Sequence, residues 1–549
     1  MKRMILIGAT ALACSAHAQQ WSTVGNAGTN PAVNFLGTTE NVPLVLRVNA
    51  VQSGRIDPLN RSAYFGYDVA NAITLFAGTE VGQNNAAFGH RALAANTTGG
   101  WNAALGTRAL ESNTSGQQNT GMGMNALGRN TTGSSNTTLG AWSLQANLTG
   151  SHNLASGTLA LSDNTTGTYN VALGVSALTA NKGGNHGTAV GAYALARASS
   201  STSAFTNMNV AVGYQAMYGA VSPSANTGNS NTAVGYQALA EYTSASLNTA
   251  IGRHALSNVT TASNNTGVGF AALANLVTGN NNTALGYSSG VSTSALSNST
   301  ALGYLALASA SNKVRLGNSS VTVVEGQVNY TTPSDARFKQ GVREDVLGLP
   351  IILKLRPVSY TFDRNSFARH VGEGMEGREA ELDALSQVRT VGFLAQEVER
   401  TVEELGYSAF DAVHVPDGPT DNYGLAYAQF VVPLVRAVQE LHAQNEQLLA
   451  RLEALEQRVD PTPQGRSLIV YPTPARDAVS VMVDAEEVGL TGTLVVLDAQ
   501  GRQVHQQALS TLPSVVSLAL SPTLAAGNYQ LVLRVEGRSA RTGTVVVER

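Results

Sequence analysis

Hydrophobic positions along this chain recur in three rhythms, and the longest dominates. The frame N-x-A-x-G-x-x-A-L starts at Asn85, Asn102, Asn119, Asn136, Asn153 and Asn170, each seventeen residues after the last, and Gly187 keeps the count. Two 22-residue steps lead to Asn209 and Asn231; the seventeen-residue spacing then returns at Asn248, Asn265, Asn282 and Ser299, giving thirteen copies. Glycine stands four residues into each copy, from Gly89 to Gly303, and most copies add Ala-Leu three residues later, as in Ala92-Leu93. A fixed period of this length predicts a parallel β-solenoid over residues 85–317. A short apolar turn such as Thr283-Ala284-Leu285-Gly286 cannot bury its face alone. Stacked copies are expected to set one Leu, Val or Ile above the next. Glycine suits the tight turns, and recurrent Asn and Thr suit turns and side-chain ladders. The two longer steps, which include Ser199 to Ser203 and Val221 to Asn229, predict loops bulging from the coil. Composition alone would equally allow a disordered Asn/Ser/Thr/Gly tract, and the strict phase argues against that.

The second rhythm is helical. Leu434, Val438, Leu441, Asn445, Leu448, Leu452, Leu455 and Val459 alternate at spacings of four and three, which predicts one apolar coiled-coil seam over 430–459 with the polar Asn445 at an a position. Val at a and Leu at d are compatible with a dimer on peptide rules. The third rhythm is the strand's alternation. It marks residues 467–549 as a small β-sandwich, with strands at Leu494-Val495-Val496-Leu497, Tyr529 to Leu533 and Thr544 to Val547, set off by turns such as Asp498 to Gly501. Shorter alternating runs, such as Pro43 to Val48, predict a β cap over 19–84, and Asp460 to Gly465 breaks the helix as a linker at 460–466.

Composition narrows the functions. With 33 basic and 36 acidic residues the formal charge is only -3, and no long basic tract is available to neutralise phosphates, so nucleic acid is not expected as a partner. Residues 81–310 hold nine charged side chains among 230, which suits a packed stalk better than a catalytic cleft. Their acids are sparse, Asp163 and Glu241 among them. His90, His152, His186 and His254 are scattered and not at ligand spacing, so no metal and no cofactor are expected. At the N-terminus Lys2 and Arg3 precede the apolar run Met4 to Ala13, and Ala16-His17-Ala18 offers small residues at the positions a signal peptidase reads, so residues 1–18 are expected to be removed. Cys14 keeps a lipoprotein reading open, although Ala11 stands where such sites usually carry leucine. The mature chain is then without cysteine and without a transmembrane helix.

Three stretches resemble known families. The N-x-A-x-G-x-x-A pattern is similar to the head repeats of trimeric autotransporter adhesins, which coil as left-handed parallel β-rolls with three chains side by side; the resemblance implies a homotrimer. After a connector at 318–330, Ser334-Asp335-Ala336-Arg337-Phe338-Lys339 has the form S-D-x-R-x-K. Leu355 to Tyr360, Val391 to Val398 and Tyr427 to Val438 follow in order, and residues 331–459 resemble the endosialidase-type intramolecular chaperone domain of phage tail spikes. That resemblance implies a Ser334–Lys339 dyad cutting the Pro333–Ser334 bond. On the residues alone, Ser334-Asp335 reads as a cap of a helix or turn with Lys339 solvated, and a lysine serves as base only once burial has favoured its neutral form. Asp335 and Arg337 read as structural ion partners. The acidic insertion from Glu373 to Asp383 departs from the family pattern and reads as a solvated loop. In the tail, Val470-Tyr471-Pro472-Thr473-Pro474-Ala475, Leu524 to Tyr529 and the closing valine strand resemble the C-terminal sorting domain of type IX secretion, although Asn is more usual at the Thr473 position. A generic adhesive sandwich is the alternative.

These readings converge on a mainly β protein: a trimeric solenoid stalk, an α+β chaperone domain ending in a coiled coil, and a C-terminal β-sandwich. It is expected at the cell surface or outside, carried by the type IX machinery, as an adhesin-like fibre for an unknown surface or glycan ligand. Enzymatic activity is expected to extend at most to autoproteolysis. A phage-spike-like glycan-binding or glycan-degrading protein is the alternative, and it would need clustered carboxylates. Cleavage before export would cost the fibre its sorting tail, so it is expected after export or not at all.

Overall fold

The structure, a computed structural model, describes residues 30, 35–73, 82–456, 467–520 and 524–548. The signal segment 1–18, the linker 460–466, Val459 and parts of the 19–84 cap region lie outside the described residues. The chain divides into two compact units, one formed by residues up to 342 with 355–429, the other by 343–354 with 430–549.

The first unit is built on a parallel solenoid of about 14 turns. An antiparallel meander, Leu44–Val48, Val51–Asp57 and Ser62–Phe65, leads into it, and Ser62–Phe65 pairs in parallel with the first repeat strand, Ala86–Phe88. Each repeat then adds one three-residue strand in register with its neighbour, so that Thr249 lies opposite Thr266 and Ala250 opposite Gly267. The series runs through Thr300–Leu302 and closes on Val314–Leu316. In the first long step the insert adds a second strand, Phe205–Thr206, which pairs with Gly184–Asn185; in the second, the exposed segment holds a 3-10 turn at Pro223–Ala225.

Packing inside each turn differs from the expected stack of Leu, Val and Ile. The middle residue of each strand points inward and is small, as in Ala172, Ala250 and Ala284, all fully buried. The third residue points outward: Leu285 is 54% exposed, Leu139 54% and Phe88 52%. The leucines that fill the core come from the Ala-Leu of the turn, or from Ser143-Leu144 in one copy. Leu110, Leu144, Leu178 and Leu256 are fully buried, and each has a positive φ near 50°. Left-handed backbone is unfavourable for a leucine, and burial of the whole side chain offsets it. In so narrow a coil the strand's inner position takes a small residue, and the large buried side chains come from the turn, one in most copies and two in some, as with Leu239 and Tyr242 or Leu273 and Leu276.

Two columns of asparagine satisfy the buried polar backbone. In one, the Asn136 backbone N–H donates to Asn119 Oδ1 at 3.0 Å, while Asn136 Nδ2 donates to the Gly150 carbonyl at 2.9 Å. In the other, Asn130 Nδ2 donates to Asn113 Oδ1 and Asn147 Nδ2 to Asn130 Oδ1, both at 2.7 Å. The frame glycines stack as well. Gly174 has φ +133°, and a Cβ there would lie 2.6 Å from the carbonyl of Gly191, so the close approach between turns admits no side chain.

Helices α1 (Leu349–Ile352), α2 (Arg364–Val371), α3 (Glu379–Ser386), α4 (Ala395–Glu404) and α5 (Val431–Glu456) follow the solenoid. Within the first unit Asp363 caps α2 by accepting from Ser366 N–H at 2.9 Å, and Gly372 ends it with φ +80°. The strand Val358–Thr361 pairs antiparallel with Arg389–Gly392. The insertion from Glu373 to Asp383 is not a solvated loop: Glu373 is 4% exposed and Arg378 6%, and the segment runs into α3, whose Leu382 is fully buried. Glu373 pairs with Arg315 and with Arg378, while Glu376, Glu379, Glu381 and Asp383 are exposed.

In the second unit α1 packs on α5, with the Leu349 N–H donating to Glu440 at 2.8 Å. The tail forms two antiparallel sheets. Val470–Tyr471, Ala478–Met482 and Val515–Ala519 make one; Gln503–Leu509, Gly492–Leu497, Gly527–Val535 and Arg541–Val547 make the other, in that order. Val479, Val481, Leu494, Leu531 and Val545 share one apolar core between them. Arg541, buried within this domain, is paired with Glu487 and with Asp484.

Candidate functional site

The S-D-x-R-x-K segment folds as a single 3-10 turn, Ala336–Phe338. Asp335 caps it, accepting from the Arg337 N–H at 2.9 Å, and the Arg337 guanidinium closes on the same carboxylate at 2.6 and 2.9 Å. Those contacts hold the Asp335 carboxyl below its usual range, the Arg337 side chain contributing most. One turn returns the chain so that Lys339 Nζ donates to Ser334 Oγ at 2.7 Å. The two residues singled out from the sequence are therefore in hydrogen-bond contact, five positions apart, next to the Pro333–Ser334 bond.

Ser334, Lys339 and Pro333 are all exposed in the single chain. In the single chain the lysine donates to the serine; a base must accept from it, which requires a neutral amine and hence exclusion of water. Close by in sequence, Tyr330 is 84% exposed, Phe338 80% and Val342 80%, with the Arg337 guanidinium 5.6 Å from the Phe338 ring. Exposed apolar surface of this density marks a contact surface.

The remaining signature pieces come together around the short sheet. Arg356 is paired with Glu397, with Nε 3.1 Å from the carboxylate. This contact lowers the Glu397 carboxyl and raises the Arg356 guanidinium. The Phe393 N–H donates to the Tyr427 hydroxyl at 3.0 Å, so the Val391 and Tyr427 pieces touch directly.

A second cluster went unmarked in the sequence. Asp421 and Glu373, both buried carboxylates, meet the last solenoid turns. Asp421 Oδ1 accepts from Lys313 Nζ at 2.5 Å and from Ser309 Oγ at 3.0 Å; its other oxygen lies 2.8 Å from His414 Nε2. Burial alone would raise this carboxyl, but Lys313, the backbone N–H groups of Asp417 and Asn422, and His414 hold it well below the usual aspartate range. Glu373 lies 3.2 Å from Arg315 Nη2 and accepts from the Ser319 N–H at 3.0 Å. No local motif flagged these residues, because each pairs across more than fifty positions of sequence. Among the described residues no group of His, Cys, Asp or Glu could hold a metal ion.

Comparison with known proteins follows the same division. Residues 334–407 match the family model for the chaperone of endosialidase, and residues 469–548 match the model for the secretion system C-terminal sorting domain. No curated protein matches the chain. With the solenoid, these two domains define the class: a secreted, fibre-like protein. The sorting domain indicates export by type IX secretion to the cell surface or beyond, and the chaperone domain implies oligomerisation. Among the described residues no helix is long and apolar enough to cross a membrane.

Proposed function

We propose that this chain is an adhesin-like fibre subunit that works as a homotrimer, with residues 331–459 acting as an intramolecular chaperone that aligns the repeats and then cuts the chain at Pro333–Ser334. The observation that carries the reading is the outward apolar row along the solenoid. Phe88, Leu105, Met122, Leu139, Ile251, Leu285 and Leu302 occupy the same strand position, each between 36% and 54% exposed. Water-facing rows of this length are rare on monomers. The heptad seam of α5 supports the same reading within its own unit: Leu434, Val438, Leu441, Leu448, Leu452 and Leu455 are each at least 45% exposed and fit a coiled coil formed between copies. Near-identical turns invite register slips, and an aligning clamp counters them.

Cleavage follows from the dyad once neighbouring copies exclude water. Lys339, as the neutral amine, takes the proton of Ser334 Oγ, which attacks the Pro333 carbonyl carbon. The C–N bond breaks as the nitrogen is protonated, leaving an ester between Pro333 and Ser334 Oγ. One water hydrolyses that ester to the Pro333 carboxylate and restores the serine, now an N-terminus. Because the dyad is exposed in the single chain, assembly gates the cut. Intact mass of wild type and Ser334→Ala, with light scattering of each, tests this. A fragment beginning at Ser334, absent from the variant, and a mass three times the subunit's are the expected results. Full-length chains in both would remove the peptidase role, and a monomer would remove the trimer.

Glycan binding is a second reading, favoured by an exposed aromatic column. Phe270 stacks on Tyr287 at 4.9 Å and Tyr287 on Tyr304 at 5.4 Å, while Arg253 lies 5.5 Å from both the Phe270 and Tyr236 rings. Loss of glycan-array signal in Tyr287→Ala would support it. Glycan hydrolysis has less behind it: Glu111, Asp163 and Glu241 stand on separate turns, and Glu111 is already engaged by Arg91 at 3.0 Å.

A further inference from the structure

A solenoid's last turn exposes its core unless something covers it. Here Leu305, Leu307, Ala308 and Ala310 are all buried, and the covering element belongs to the chaperone-type domain: a Cβ on Gly374 would lie 3.6 Å from Leu305, and one on Gly372 4.0 Å from Leu307. Around this apolar patch run the polar contacts already described. Lys313 meets Asp421, and Arg315 meets Glu373. Ser292 Oγ lies 2.8 Å from Thr420 Oγ1, and Arg364 Nη1 donates to the Ser319 carbonyl at 2.5 Å. Every one of these pairs joins a residue before Pro333 to one after Ser334. Only Ser319, at the start of the 318–330 connector, takes part; farther along it Val323, Val328 and Tyr330 are exposed.

We infer that this surface is a non-covalent dock whose partner is the C-terminal piece of the same protein, so that hydrolysis at Pro333–Ser334 nicks the chain without parting solenoid from tail. The domain that assembles the stalk is then also its permanent end cap. The conflict between self-cleavage and a C-terminal sorting tail disappears, because a nicked chain still carries its tail through the secretion machinery. The inference draws its biological occasion from the self-cleavage reading, but the dock is testable without it.

In a Ser334→Ala background, a site-specific protease sequence placed between Glu325 and Asn329 is cut in the purified full chain. Native size exclusion followed by denaturing gels then reads which pieces travel together. Both pieces are expected in one peak. In the Glu373→Ala/Asp421→Ala double variant, cut in the same way, the pieces are expected to separate, with association weakened roughly a hundredfold or more. Lys313→Ala/Arg315→Ala, on the solenoid side, is expected to reproduce that loss, and circular dichroism of each uncut variant establishes that the solenoid is intact. Separation of the cut parent would overturn the inference. So would co-elution in both double variants, since these ion pairs would then not be what holds the pieces. Absence of natural cleavage in the Ser334 chain would count against the peptidase reading alone.

Discussion

The solenoid and the chaperone-type domain solve the same problem, satisfying buried polar groups, in opposite ways. In the repeats the solution is redundant: one asparagine position, copied turn after turn, bonds its predecessor and a glycine carbonyl, as Asn119, Asn136 and Asn153 do. At the junction it is singular. Glu373 and Asp421 each have one cationic partner on the solenoid, and no second copy stands behind either. Redundancy spreads the cost of an error over neighbouring turns, whereas a singular ion pair concentrates it.

The comparison can be broken most forcefully at the glycine stack. Gly174→Val places a branched side chain at φ +133° against the next turn, and is expected to cost at least about 3 kcal/mol, read as a lowered denaturation midpoint. If the ladder absorbs it without change, the close approach between turns is not structural. Next comes Glu373→Ala, which leaves Arg315 and Arg378 facing a lost carboxylate and is expected to cost roughly 3 to 5 kcal/mol, read by hydrogen exchange over 305–310. Asn136→Ala is expected to cost about 1 to 3 kcal/mol, less than the junction change because adjacent rungs remain. A pair of leucines sharpens the inside-outside division. Leu144→Ala is expected to lose roughly 2 to 5 kcal/mol of fold stability. Leu139→Ser is expected to leave the fold within about 0.5 kcal/mol and to weaken self-association, read by light scattering.

The smallest expected effect is that of pH. Asp421 is depressed in the fold, so its contribution is complete above its unfolded value of about 3.9 and is lost only as pH falls through the lower folded value. Exchange protection at the junction should therefore not fall between about pH 8 and about pH 5. A loss in that window would mean another group controls the dock.

Legibility in the sequence tracked this same contrast. The turn period could be read because every rung repeats the same residue types in phase; the Ser334–Lys339 pairing came from the family resemblance, since the residues alone read as a cap with a solvated lysine. Which face of the strand was inner could not. Leu285 is the large apolar residue of Thr283-Ala284-Leu285-Gly286, yet the narrow coil admits Ala284 and turns Leu285 outward. Hydrophobicity alone does not record cross-section. The run from Glu373 to Asp383 misled for a related reason: its acidity is a local property, while Glu373 is neutralised by Arg315, far back in the chain, and by Arg378.

One property of the ladder reaches past this particular chain. Because most seventeen-residue units bond their neighbours through the same asparagine and glycine positions, a unit can be gained or lost by unequal recombination with the backbone ladder re-formed across the join. Each such event would lengthen or shorten the stalk by one strand spacing, about 4.8 Å. Reach thus becomes a quantity that mutation can adjust in equal increments while the ends, and whatever they carry, stay unchanged.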